Sequence, residues 1–264
     1  MNEIYIHGIG LIAPGMSTWM EGAAVLRGDS LYEKTELPAF APHSLRPNER
    51  RRTTALIKLA LQVAEQAIDH SNIAAEQTCA VFSSSEGDID IVDKICSALT
   101  EPDRPVSPTH FHNSVHNAPA GYWAIATGCQ FASISMSAGA GSFVGGLLEA
   151  AGINAEENTA ALLVSYDLPP PEILKPFIAI SEPFGSAMVI SQEAKAGSLA
   201  KLQLQLTSAD EESTLKDSAL EALRLSNPAA RALPLLKAIA SKQTQTVVIP
   251  YLPDQNLTIV CTPC

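Results

Sequence analysis

The chain has 264 residues, 46% of them hydrophobic, enough to bury one sizeable core without a second domain. Its 17 basic and 28 acidic residues leave a net charge of −11, which argues against nucleic acid and anionic membranes as partners. No apolar run reaches the ~18–20 residues of a membrane span, MNEIYIHGIG lacks a basic flank and a signal-like core, and the cysteines show no framework spacing, so a cytoplasmic protein with reduced thiols is expected.

Residues 4–12 alternate and are β-branched, which predicts a first strand ending at Pro14-Gly15. Residues 19–26 suit a short helix capped by Ser17 or Thr18. Residues 28–49 read as irregular, broken by Pro38, Pro42 and Pro47. A long helix opens at Arg50-Arg51-Arg52-Thr53 and runs to His70, with Leu56, Leu59, Ala60, Val63, Ala67 and Ile68 at helical spacing. Residues 79–84 predict a second strand, and Ser83-Ser84-Ser85-Glu86-Gly87 a loop at its end. Residues 88–99 predict a helix whose Ile91, Ile95 and Leu99 share one stripe. The segment from Ser107-Pro108 reads as irregular to about Asn113, and a helix follows over 117–127. A strand over 132–137 leads into the small-residue turn 138–142 and a helix through Phe143, Leu147 and Leu148. Residues 159–165 predict a buried strand, Pro169-Pro170-Pro171 breaks the chain, and 184–192 predict a further strand. Beyond these come strands over 199–207, 244–250 and 256–262 and helices over 213–224 and 229–241. Strands alternating with helices predict an α/β fold, a mostly parallel sheet with helices on both faces.

The stretch 107–150 carries the chemistry. Strand, sharp turn and helix start form a geometry that holds up a nucleophile and offers amide donors to an oxyanion. The tip should then be Ser or Cys, yet the turn reads Ala138-Gly139-Ala140-Gly141-Ser142. Other candidates are weaker. Cys129 with the upstream His110, His112 and His116 could form a Cys–His pair, although a buried small hydrophobe is the plainer reading of Cys129. The three histidines lack an acidic or Cys partner for a metal. Cys261-Thr262-Pro263-Cys264 has redox spacing but opens no helix. Gly139-Ala140-Gly141 with Gly145-Gly146 lacks the dinucleotide spacing, so no cofactor is expected.

Ser107-Pro108, Phe111, Asn117, Ala120-Gly121-Tyr122, the Gly128-Cys129 link and the strand before the turn resemble the β-ketoacyl synthases, condensing enzymes of the thiolase-like fold. The Arg-Arg start of the long helix and the Phe184-Gly185 strand resemble them too. The resemblance implies a five-stranded thiolase half with sheet order 3-2-1-4-5 over residues 1–193, and a shortened α/β remnant on the same core over 194–264. It places the family's nucleophile on Ala140. The two imidazoles that the family's second half supplies have no counterpart, because the last histidine is His116.

A turn that keeps its shape without a nucleophile implies a non-catalytic subunit. The layout and the run Ser114-Val115-His116-Asn117-Ala118-Pro119-Ala120-Gly121-Tyr122 resemble the truncated chain-length factors of aryl polyene biosynthesis. Such a subunit implies an active β-ketoacyl synthase as heterodimer partner, with acyl carrier protein engaged mainly through that partner. The interface is then expected over 107–148, with Asn117, Tyr122, Trp123, Ser135 and Phe143, and the acyl tunnel is expected to be closed by His110 and Phe111 or by Ile91, Ile95 and Leu99. Two alternatives stay open: an acyl-transfer enzyme using Cys129, and a carrier-protein scaffold whose docking patch is Arg46, Arg50, Arg51 and Arg52.

Overall fold

The computed structural model describes residues 2–208 and 211–264. Among these residues eight strands form one sheet: β1 (Asn2–Ile12), β2 (Thr78–Ser83), β3 (Ser133–Met136), β4 (Ala160–Asp167), β5 (Phe184–Ser191), β6 (Ala200–Thr207), β7 (Gln245–Leu252) and β8 (Gln255–Pro263). The helices are α1 (Trp19–Arg27), α2 (Pro47–Arg50), α3 (Ala55–Ser71), α4 (Ile89–Thr100), α5 (Pro108–Asn113), α6 (Ala118–Thr127), α7 (Ser142–Glu157), α8 (Ser218–Ser226) and α9 (Leu233–Ser241).

The sheet order is β3-β2-β4-β5-β1-β6-β8-β7. Its first five strands therefore run 3-2-4-5-1, which corrects the expected 3-2-1-4-5. The return strand β5 is antiparallel to both β4 and β1, so it sits between two strands of one direction and pushes β1 outward. Among the described strands only β2 with β3 and β2 with β4 pair in parallel and the other pairings are antiparallel, which corrects the mostly parallel sheet expected. The last three strands extend the same sheet from the free edge of β1 instead of building a second one.

Alternate residues of the sheet enter two cores. Leu162, Val164, Ala187 and Val189 face α3 and α6, while Ala161, Leu163, Met188 and Ile190 face α1, α7, α8 and α9. Strands β2, β4 and β5 are buried on both faces, whereas β6 alternates, burying Ala200, Leu202 and Leu204 and leaving Gln205 exposed. Gly10 allows α3 to lie against β1: a Cβ there would stand 2.0 Å from the carbonyl oxygen of Val63. Buried Glu65 of α3 accepts from the amides of His43 and Ser44 at 2.9 and 2.8 Å, tying down the irregular segment before α2.

Several boundaries differ from expectation. The long helix starts at Ala55, because Thr54 accepts from the amide of Ile57 and caps it; Pro47–Arg50 is a separate turn of helix. Ser107 caps a short helix, α5, where an irregular segment was expected. Asp217 accepts from the amides of Ala219 and Leu220, so the helix expected from 213 begins at Ser218. A 3₁₀ turn at Pro228–Ala232 splits the next helix from α9. No helix among the described residues is long and apolar enough to cross a membrane.

Candidate functional site

The parallel strands β2, β3 and β4 end side by side, with Ser83 opposite both Met136 and Ser165. This is the end of a parallel sheet where α/β proteins place their sites. Three connections gather there: the loop after β2, the turn between β3 and α7, and the segment after β4.

The turn is built by short polar bonds. Ser142 Oγ donates to the carbonyl of Gly139 at 2.7 Å and accepts from the amide of Ala138 at 3.0 Å. Ser83 Oγ donates to the carbonyl of Ser142 at 2.6 Å, fastening the start of α7 to β2. Residues Gly139–Gly141 form a 3₁₀ turn, and Ala140 is exposed at its tip. Gly141 is required by close approach: a Cβ there would lie 2.7 Å from the carbonyl oxygen of Tyr251 on β7. The register of β7 shifts between Pro250 and Leu252, which brings Tyr251 against α7, close to Gly145 as well. Ala140 thus offers only a methyl group at the exposed tip of the turn, which can neither attack nor transfer a proton.

Beneath the turn lies an acid that the residue patterns did not single out. Asp167, 1% exposed, accepts through Oδ1 from Ser84 Oγ at 2.7 Å and from the amide of Ser85 at 2.9 Å. Its Oδ2 is buried without a hydrogen-bond partner among the described residues. Burial pushes its pKa up to about 7, with the Ser84 hydroxyl and the amides of Ser85 and Glu86 pulling the other way. Ser137 Oγ donates to the carbonyl of Ser85 at 2.7 Å, and His116 Nε2 stands 3.3 Å from that of Ser84. An acid soon after the apolar run Ala160 to Val164, at the end of the same strand, was the available signal.

The expected residues fall into separate places. Trp123, 2% exposed, and Phe143 lie inside the two cores, so the interface contacts expected of them are corrected: neither presents a surface. Asn117 is exposed, Tyr122 is half-buried and donates to Asn113 Oδ1 at 3.0 Å, and Ser135 lies half-buried on β3. Phe111, 70% exposed, joins Val115, Asn117, Tyr122 and Ile125 around an apolar groove of about 470 Å³ between α5 and α6. On α4, Ile91 enters the core, Ile95 is half-buried and Leu99 is 51% exposed, so the stripe leaves the protein as the helix proceeds. His110 is half-buried, and His112 meets Tyr122 edge-on with ring centroids 6.2 Å apart.

Cys129 and His116 do not meet. Cys129 Sγ lies 3.2 Å from the carbonyl of Thr78, at the start of β2, while His116 sits at the far end. Six residues of strand, ~20 Å, separate them. The pairing of Cys129 with His116 is therefore corrected. Cys261, at the other edge of the fold, is buried, and burial pushes its thiol up to about 11. Arg46, Arg51 and Arg52 are exposed, and none of them forms an ion pair among the described residues.

The family model of the β-ketoacyl synthase N-terminal domain matches residues 23–250, and the chain belongs to that family. No curated protein matches it. Among solved structures it resembles a chain of the complex of the ketosynthase ApeO with its chain length factor ApeC from Xenorhabdus doucetiae, at 22% identity and TM-score 0.74, covering 97% of this chain and 98% of that one. It also resembles the ishigamide ketosynthase/chain length factor at 14% identity and TM-score 0.74, over 98% and 99% of the two chains. A third likeness is to AntDE:AntF, a type II acyl-carrier protein complexed with its ketosynthase, at 10% identity and TM-score 0.78, over 100% and 99%. At these identities the likeness is one of fold, the α/β thiolase-like fold of the ketosynthases.

Proposed function

We propose that this chain is a non-catalytic, chain-length-factor-type subunit that pairs with an active β-ketoacyl synthase and shapes the tunnel for its growing acyl or polyene chain, in aryl polyene or related biosynthesis. The observation that carries this reading is Ala140: the turn, its serine bonds and the helix behind it are intact, and the reacting atom is missing. No histidine follows His116, so the imidazoles that would polarise a thioester are not at hand either. The two solved complexes described as ketosynthase with chain length factor support the same reading.

The face that suits a partner is the edge strand β3, which pairs only with β2 among the described strands, and α6, which packs beside it. Around it stand the exposed apolar side chains of Phe111, Val115, Ile125 and Phe131. Asn117, Tyr122 and Ser135 belong to this face. Phe111 and His110 of α5, or Ile95 and Leu99 of α4, close the far end of the partner's tunnel by sterics; Ile91, inside the core, supports that helix. Carrier protein engages mainly the partner. In this reading residues 1–193 descend from the family's first half and 194–264 from a reduced second half.

The test is product length in a reconstituted pair. Phe111→Ala, or failing that Ile95→Ala, lengthens the product at unchanged turnover, because overpacking of about 1–3 kcal/mol is removed from the tunnel end. Product mass at matched complex concentration reads this out. Unchanged length in both variants, with the complex intact, assigns the subunit a supporting role only.

A further inference from the structure

At the opposite end of the sheet from the turn lies a polar pocket of about 270 Å³. Its walls are the C-terminal end of α7, the starts of β2 and β4 and the loop after β5, and they bring together Gln77, Asn154, Asn158, Thr159, Glu193 and Lys195. Asn154 is 2% exposed. Its Nδ2 donates to the carbonyl of Thr159, which fixes the amide orientation and leaves Oδ1 as an acceptor. That oxygen is buried without a hydrogen-bond partner among the described residues. An unmet buried acceptor is costly, and the pocket far exceeds the ~30 Å³ that one water occupies in the liquid.

The surrounding charge selects the donor. The C-terminus of α7 carries the negative end of a 16-residue helix dipole, and its last turn has no basic residue. Glu156 and Glu157 stand in that turn, against the dipole, and neither forms an ion pair among the described residues. Glu193 adds a carboxylate on the facing loop, and among the described residues Lys195 is the single cation lining the pocket.

We propose that this pocket binds a protonated amine or guanidinium, brought by a small molecule or by a Lys or Arg side chain of a partner protein. Asn154 Oδ1 accepts one N–H, and Glu193 with the helix terminus supplies the countercharge.

Agmatine titrated into the ¹⁵N-labelled protein at constant ionic strength is the probe, with neutral butylurea as control. A saturable shift centred on the Asn154 side-chain amide and Thr159 is expected with agmatine and not with butylurea. Asn154→Leu weakens binding roughly tenfold or more. Glu193→Gln, an exposed change that leaves the fold intact, weakens it severalfold, and Lys195→Ala tightens it. Absence of a saturable shift in the wild type, equal shifts with butylurea, or unchanged affinity in Glu193→Gln overturns the proposal. Repeating the titration on the complex with a ketosynthase separates the sources. A pocket still open to agmatine assigns a small molecule, and a pocket closed to it assigns a partner's side chain.

Discussion

At the scale of single residues, two buried titrating groups give opposite pH dependences. Asp167 has a folded pKa of about 7 against an ordinary value of 3.8, so the folded state takes up its proton first as pH falls. Its desolvation cost is complete above about pH 7 and is relieved as pH drops through that value. Asp167→Asn should therefore stabilise the protein at pH 8, by an amount on the order of a few kcal/mol, and the gap to wild type should close towards pH 5 in thermal melts. His7 behaves the other way. It is buried on β1 with Nε2 2.7 Å from Ser191 Oγ and Nδ1 3.2 Å from Ser198 Oγ, and burial, then the Lys195 charge, lowers its pKa. The unfolded state then binds the proton more readily, and stability is lost as pH falls below the ordinary value of about 6.5. His7→Gln should flatten that acid limb and leave stability at pH 8 little changed; an unaltered slope excludes His7 as its source. Ala140 belongs to this scale as well. Ala140→Cys should yield a thiol that alkylates, since the tip is exposed, and should not condense malonyl units with an acyl primer when the chain is assayed alone.

Elements are held by close approach as much as by apolar stripes. The α3 helix sits on β1 with no room for a side chain at residue 10, where a Cβ would meet the Val63 carbonyl at 2.0 Å. Backbone on both sides cannot give way cheaply, so Gly10→Ala should cost about 3 kcal/mol or more in denaturant unfolding. Gly152→Ala on α7, where a Cβ would meet nothing within 4 Å, is the control and should gain up to ~1 kcal/mol from helix propensity. Equal effects at the two sites would show that the α3–β1 contact is looser than the structure has it. The edge strand β7 is closed differently. Ser213 donates its amide to the carbonyl of Val248 at 2.9 Å and accepts from that residue's amide, also at 2.9 Å, while Pro250 removes a donor. Among the described residues β3, the other edge, pairs only with β2.

For the whole molecule, the asymmetry of the two edges predicts association through one face. Exposed Phe111, Val115, Ile125 and Phe131 surround α5, α6 and β3. The chain purified alone should self-associate, and co-expression with a ketosynthase should convert it to a defined hetero-oligomer by light scattering. Phe111→Asp with Ile125→Asp should abolish that complex while leaving the melting temperature within a few degrees of wild type, because both side chains stand outside the cores. A monodisperse monomer that ignores every co-expressed ketosynthase would remove the partner reading and leave the fold untouched.

The sequence by itself determined the elements whose information is local. The apolar spacing of Leu56, Leu59, Ala60 and Val63 marked a helix, and the small residues from Ala138 to Ser142 marked the turn, with Ala140 and neither Ser nor Cys at its tip. Family resemblance added the thiolase-like class. What only the tertiary structure decided rests on contacts between distant residues. Strand order depends on which edge accepts which strand, and periodicity records an apolar face without naming its cover; β5 accordingly came to lie between β4 and β1. For the same reason Trp123 and Phe143, apolar and near the turn, went into the cores while Phe111 and Ile125 stayed outside. The separation of Cys129 from His116 is a property of the strand between them, and the orphaned oxygens of Asp167 and Asn154 exist only because folding removed water from side chains that, in the unfolded chain, it would have solvated.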